Sequence, residues 1–303
     1  MTARLLDGRA VASRLWRDLG ERVTELSERT GTAPRLAVLR FAADGPAAVY
    51  ADSLVRAARG IGIDPVVVTP PEGVTQTDLA ARIGALNRDP SVAGIVVAQP
   101  IPDSLAIHEV AALIDPAKDV DGATPDSVGR VARGDPAAFV PATAAAVMAI
   151  LRAYEIPVAA KRAVVVGRSA VVGRPVASLL TAADATVVVC HRQTRNLARE
   201  TRRAEILVVA AGSPALIRSE MVNRSAVIVD CGINLTPDGL VGDVDFEAVR
   251  PVVRAITPVP GGVGPVTTMT LLEQTVRAAE RLAPQHPDEL ARFTLPARGP
   301  TRR

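Results

Sequence analysis

The chain has 303 residues, 48% hydrophobic and 22% charged, enough for about two domains with real cores, which sets aside collagen-like, disordered and small disulfide-stapled classes. No apolar run approaches the roughly 18 residues of a membrane span, and the opening MTARLLDGRAVASRL carries charge throughout, so the sequence reads as a soluble cytoplasmic protein that does not engage membranes. The net charge of +3 rests on scattered arginines and aromatics are only 2%, so neither a phosphate-tracking stripe nor a base-stacking platform for nucleic acid is expected.

Taken in chain order, residues 8–30 carry Ala10, Val11, Leu15, Leu19, Val23 and Leu26 along one helical side, and Gly31 stops the run. Leu36–Leu39 is a short apolar strand, 46–59 a helix closed by Gly60, and Pro65–Val68 a second strand. A helix over Thr77–Asn87 and a strand over Val92–Val97 repeat the alternation, which predicts an α/β fold with a mostly parallel sheet. Residues 115–142 are dense in Pro, Gly and Asp with one short helix over Asp126–Ala132, and place a domain boundary there. A helix over Thr143–Tyr154 then opens a second series, with strands at Ala163–Val166, Thr186–Val189, Ile206–Val209 and Val227–Val229. The tail from Leu282 is rich in Pro and Arg without sustained period, and is expected to be loose. Cys190 and Cys231 each close an apolar run without ligand-pair spacing, so neither a metal site nor a disulfide is expected.

The strongest local signal is AVVVGRSAVVGRPVASLL at 163–180: a strand, a turn holding Gly167 and Gly173, and a helix beginning near Pro175. Gly167 lets backbone approach a ligand closely, and the helix N-terminus would offer free N–H groups to a pyrophosphate, so the segment suits a dinucleotide, although the spacing is not G-x-G-x-x-G. An NAD site places an acid after the next strand to hold the ribose 2′-hydroxyl. Here the strand ends Val189-Cys190-His191-Arg192-Gln193-Thr194-Arg195, so Arg168 and Arg192 favour NADP by matching its 2′-phosphate. Further on, Asp230-Cys231-Gly232-Ile233-Asn234 ends a strand, and ITPVPGGVGPVT at 256–267 is a rigid loop that could present amides to a ligand or serve only as a turn between domains.

LLDGRAVA at 5–12, GPAAVY at 45–50, DPAKDVDG at 115–122, VVGRSAVVGRP at 165–175, DCGIN at 230–234, VGDVDF at 241–246 and ITPVPGGVGPVT at 256–267 together resemble the bifunctional methylenetetrahydrofolate dehydrogenase/methenyltetrahydrofolate cyclohydrolase (FolD) family, in that family's order over nearly the whole chain. The resemblance implies a folate domain over 1–142, with a returning helix at 265–282, and a Rossmann-like NADP-binding domain over 143–264, in a cytoplasmic homodimer acting on a tetrahydrofolate derivative in one-carbon metabolism and purine biosynthesis. Carried over by position, Tyr50 and Asp121 are the catalytic pair, Tyr50 lying by the folate and Asp121 accepting from the pterin. Pro260, Gly261 and Gly262 line the folate side, and Gly167, Arg168, Ser169 and Ile233 join Arg192 at the cofactor.

Two departures from the family pattern bear on chemistry. Leu54 stands four residues after Tyr50 where the pattern has its catalytic Lys, and Arg56, about 600° around the helix from Tyr50, cannot substitute. The pattern Gly-Ile-Leu-Val-Gln-Leu-Pro-Leu-Pro reads Gly94-Ile95-Val96-Val97-Ala98-Gln99-Pro100-Ile101-Pro102, so Ala98 replaces the catalytic Gln and Gln99 falls on the opposite strand face. Ser127, Ala142, Ala144 and Ser213 are smaller departures. Hydride removal from methylenetetrahydrofolate needs positioning, whereas hydrolysis of the methenyl product needs a tuned proton-handling group. The expectation is therefore an NADP-dependent dehydrogenase with an impaired cyclohydrolase. The alternatives are a catalytically silent folate/NADP-binding paralogue with a regulatory role and a dehydrogenase acting on a modified one-carbon carrier, with Leu54 and Ala98 making an altered, less polar pocket.

Overall fold

The computed structural model describes residues 3–42, 44–237 and 239–283. All but Leu282 and Ala283 of the tail expected to be loose lies outside them. No helix among the described residues is long and apolar enough to cross a membrane.

The chain runs β1 (Arg4–Leu5), α1 (Gly8–Thr30), β2 (Arg35–Leu39), α2 (Gly45–Gly60), β3 (Asp64–Val68), α3 (Gln76–Arg88), β4 (Val92–Val97), α4 (Ile107–Ala112), α5 (Pro125–Ala132) and α6 (Ala142–Ala153). It continues through β5 (Arg162–Val166), α7 (Gly173–Ala182), β6 (Thr186–Cys190), α8 (Leu197–Thr201), β7 (Ile206–Val209) and β8 (Val227–Asp230). A hairpin of β9 (Asn234–Thr236) and β10 (Gly239–Val241), α9 (Phe246–Val249), β11 (Ala255–Ile256) and α10 (Val263–Leu282) complete it. Local chemistry sets the ends. The Asp7 carboxylate accepts from Arg9 N–H at 2.8 Å to cap α1, and Gly31 closes it at φ 74° with its N–H bonded to Ser27.

Two parallel sheets result, one ordered β3-β2-β4 and the other β1-β11-β8-β7-β5-β6. Every residue of β4, β7 and β8 is buried, as strands covered on both faces require. Three helices tie the sheets together, because each gives one end to either core. Leu19, Val23 and Leu26 of α1 pack with the first sheet and Val11 with the second; Ala142 of α6 joins the first, and Ala144, Val147 and Ile150 the second. On α10, Val263 and Val266 belong to the second core, whereas Met269, Leu271, Leu272 and Val276 belong to the first.

One feature departs from the expected division at residue 142. Strand β1 pairs with β11 in the second sheet, Arg4 opposite Ala255 and Leu5 opposite Ile256. A two-residue strand carries no period to read, and its partner is about 250 residues away in sequence.

Candidate active site

Between the two sheets lies a cavity of about 960 Å³. The first half of the chain supplies Tyr50, Ser53, Val97, Gln99 and Asp121 to its wall, with Arg9 and Trp16 from α1. The second half supplies Val171, Val172, Cys231, Gly232 and Ile233, and the loop entering α10 contributes Pro260, Gly261 and Gly262.

Asp121 owes its position to its neighbours in KDVDG. Buried Lys118 donates to the carbonyls of Leu86 (2.9 Å) and Asp89 (2.6 Å), closing the end of α3, and Asp119 accepts from the N–H groups of Ala123 (2.9 Å) and Thr124 (2.8 Å). Gly122, at φ 66°, abuts Val140 and Pro141 so closely that no Cβ fits. From α10, the buried Gln274 amide donates to the carbonyls of Val120 (2.8 Å) and Val140 (2.9 Å) and accepts from Val140 N–H (2.7 Å). Only Asp121 of this motif is left facing the cavity. Burial and then the charge of Asp119 push its carboxyl up to about 7. Tyr50 sits close enough for the Asp121 charge to add to the burial that raises its phenol.

Leu54 and Ala98 are both fully buried, in one apolar cluster with Leu36, Val96 and Val120. Neither lines the cavity, which corrects the expectation that they make its surface less polar: they fill the core behind it. The reason is periodicity. On α2, Tyr50 and Ser53 share the cavity face while Leu54 turns inward. Ala98 N–H still donates to the Leu39 carbonyl at 2.9 Å, so strand alternation persists past β4, with Val97 and Gln99 facing the cavity and Ala98 the core. Arg56 is exposed elsewhere on α2 and is not part of the wall.

On the opposite side, Gly167 ends β5 at φ 127°, where a Cβ would run into the Ala210 carbonyl, and a Cβ on Gly173 would run into the Gly167 carbonyl. The helix start differs from expectation in two respects. Ser169 Oγ accepts from the N–H groups of Val172 (3.2 Å) and Gly173 (3.3 Å), Arg174 N–H donates to the Ser169 carbonyl, and Pro175 has no N–H, so Ser169 already occupies the donors expected to be free. Helix α7 begins at Gly173, two residues before the predicted start. Arg168 and Arg192 are exposed beside the ends of β5 and β6. Ile233 is 68% exposed in the cavity wall, apolar surface that a bound ring would cover. The steric cradle at Gly167, the two free-standing arginines and the bare Ile233 fit a dinucleotide bearing a 2′-phosphate.

Sequence reasoning did not single out the device that holds this rim. Buried Asp243 accepts from the N–H groups of Ala211 (2.6 Å), Gly212 (2.9 Å) and Ser213 (2.9 Å) and from Asn234 Nδ2 (2.9 Å). Asp230 accepts from the N–H groups of Gly232 (2.8 Å), Asp243 (3.1 Å) and Val244 (2.9 Å), while its own N–H donates to Thr257 Oγ1 (2.8 Å). Burial raises Asp230 to about 6 against the pull of those three N–H groups. The readable signal was two acids in DCGIN and VGDVDF, each beside a glycine whose Cβ would strike the other motif's carboxylate. The 258–264 loop is locked in turn onto the chain start: Gly8 N–H donates to the Gly261 carbonyl at 2.9 Å, and Gly261, at φ 107°, lies under the Arg9 guanidinium.

Residues 6–121 match the family described as the tetrahydrofolate dehydrogenase/cyclohydrolase catalytic domain, and residues 141–283 that family's NAD(P)-binding domain. The chain belongs to the tetrahydrofolate dehydrogenase/cyclohydrolase family. It is 44% identical over 286 residues to the bifunctional protein FolD of Herpetosiphon aurantiacus, covering 94% of this chain and all of that one. Its fold superposes on the Campylobacter jejuni bifunctional FolD enzyme with a TM-score of 0.90 at 42% identity, covering 92% and 99% of the two chains. It superposes on the Trypanosoma brucei dehydrogenase-cyclohydrolase, solved with NADP and an inhibitor, with a TM-score of 0.88 at 36% identity, covering 93% and 98%. The family is one of two-domain α/β enzymes, and the second sheet carries its NAD(P)-binding region.

Proposed function

We propose that this protein oxidises 5,10-methylenetetrahydrofolate to the 5,10-methenyl form with NADP, as a cytoplasmic homodimer in one-carbon metabolism, and that its cyclohydrolase step is impaired. The observation that carries the reading is a cavity that brings Tyr50 and Asp121 opposite Val171, Val172 and Ile233, with Gly167, Arg168, Ser169 and Arg192 outside its lining, while positions 54 and 98 are apolar and wholly buried. NADP, when bound, supplies the hydride acceptor. Arg168 and Arg192 hold its 2′-phosphate, Gly167 and Ser169 the turn beneath it, and Ile233 one face of a ring. Asp121, as a carboxylate, accepts from the pterin's N–H edge, and Tyr50 with Pro260, Gly261 and Gly262 confines the ring system. Oxidation leaves a cation stabilised by its two flanking nitrogens, so the protein's task is to hold carbon against nicotinamide.

Hydrolysis of that cation needs a group to manage the protons of the attacking water, worth about 10² to 10⁴ in rate. Neither Leu54 nor Ala98 has one to offer. The test follows NADPH formation and methenyl absorbance together with purified protein. The expected result is NADPH formation with methenyltetrahydrofolate accumulating; no NADPH overturns the dehydrogenase in favour of a silent binding protein, and hydrolysis well above the uncatalysed rate overturns the impairment.

A further inference from the structure

The first-sheet wall keeps polar side chains although Leu54 and Ala98 are apolar. Ser53 and Gln99 are both exposed and both line the cavity, on the two elements whose next or preceding residue has gone into the core. We propose that Ser53 and Gln99 are the polar contacts that position the substrate against this wall, and that they help to set its specificity. The proposal rests on reading the cavity as a folate site.

The chemistry of the pair fits that task. A reduced pterin presents ring N–H donors and a carbonyl acceptor along its edges, and a primary amide and a hydroxyl each both donate and accept. Tyr50 and Ser53 stand three residues apart on one face of α2, so a ring lying along Tyr50 passes within reach of the Ser53 side. Gln99 follows Val97 on the same strand face, so its amide extends the wall beyond the apolar surface of Val97. Neither side chain ionises near neutral pH. Such a pair can hold a substrate in one orientation, yet neither of its side chains has a proton to give or take near neutral pH, so its part is positioning.

Gln99→Leu and Ser53→Ala in the full chain test the idea by steady-state kinetics with methylenetetrahydrofolate and NADP. Each lost hydrogen bond of about 0.5 to 1.5 kcal/mol should raise the folate KM by about three- to ten-fold. The KM for NADP and the melting temperature should hold, and Gln99→Asn should recover part of the loss. A purely structural role would instead lower thermal stability and disturb both substrates together. Unchanged folate KM and kcat in both variants overturns the proposal. If the wild type binds but does not turn over, calorimetric titration with tetrahydrofolate decides: weaker binding by the variants sustains the proposal while the dehydrogenase reading fails, and equal binding overturns it. A wild type that does not bind tetrahydrofolate overturns both.

Discussion

The two walls of the cavity are built on different principles. Behind the second-sheet side the support is a matter of backbone: Gly167 and Gly173 admit no Cβ, and Asp243 spends its carboxylate on four donors from two loops. The first-sheet side is a matter of side chains projecting from a regular helix and strand, Tyr50, Ser53, Val97 and Gln99, none of which sets the path of the chain. A substitution behind the second-sheet side endangers the fold before it touches chemistry. On the first-sheet side, at cavity-facing positions such as Ser53 and Gln99, it can retune chemistry and leave the fold alone.

The hardest blow to this contrast would be a mild phenotype at Asp243. Asp243→Ala strands four donors, three of them backbone N–H, and at roughly 1 kcal/mol or more for each the loss should be about 4 kcal/mol. Gly167→Ala should be comparably harmful, because its φ of 127° and the Ala210 carbonyl leave no room to relax. Melting curves and NADP titrations check both, and near-normal melting of either would show that the rim is softer than its hydrogen bonds imply.

A second, smaller effect sharpens the contrast on the folate side. Leu54→Lys places an ammonium in the fully buried cluster with Val96 and Val120, and should lower stability by at least about 3 kcal/mol while depressing the amine's pKa. Leu54→Lys with Ala98→Gln should restore some cyclohydrolase activity, and the single change less, because the amide then gives the amine a partner. Wild-type-like melting of Leu54→Lys would mean that residue 54 reaches the cavity after all.

Asp121 gives a third test, through pH. Its carboxyl is raised to about 7 from an unfolded value near 3.8, so the folded state binds the extra proton, and the ionised group costs stability progressively as pH rises from about 4 to 7, fully above it. Asp121→Asn should therefore melt higher than the wild type at pH 8, with the difference gone at pH 4. Folate binding carries the opposite sign, since the pterin calls for the carboxylate. Affinity should fall about tenfold per pH unit below about 7 in the wild type, and be weak and flat in Asp121→Asn, as calorimetric titration across pH 5 to 8 would show.

The same contrast explains what could be read from the sequence. The long periodic helix and the apolar runs were legible: the predicted helix over 8–30 is α1, and the strands at Val92–Val97 and Ile206–Val209 are found where apolar runs placed them. The short elements β1, β9, β10, β11, α8 and α9 were not, since two to five residues outside a sustained apolar run carry no period of their own. Among site residues, Tyr50, Asp121 and Ile233 were placed by motif and do meet in one cavity. Gln274 was missed because a single polar residue on an otherwise apolar helix gives no hint of the two loop carbonyls it will hold. Ser53 carried no signal, a lone serine within a helix, and strand alternation put Gln99 on the face opposite Ala98, which is the cavity face.

The mildest effect is expected at Arg192, where the nucleotide wall comes closest to behaving like the folate wall. Its side chain is exposed, and the turn that carries it is held by others: His191 N–H donates to Thr194 Oγ1 at 2.9 Å, and Thr194 N–H to the His191 carbonyl at 2.7 Å. Arg192→Ala thus removes a charge without disturbing the rim. Only NADP offers that charge a partner, so the NADP KM should rise about tenfold and the NAD KM hardly at all, an exposed charge-assisted contact being worth about 1 to 2 kcal/mol after screening. Salt provides an independent handle: raising ionic strength should erode the wild type's preference for NADP and leave the variant's nearly unchanged. Equal losses with the two cofactors would make Arg192 part of the turn, and no loss with either would move the discrimination to Arg168, on the Gly167 turn itself.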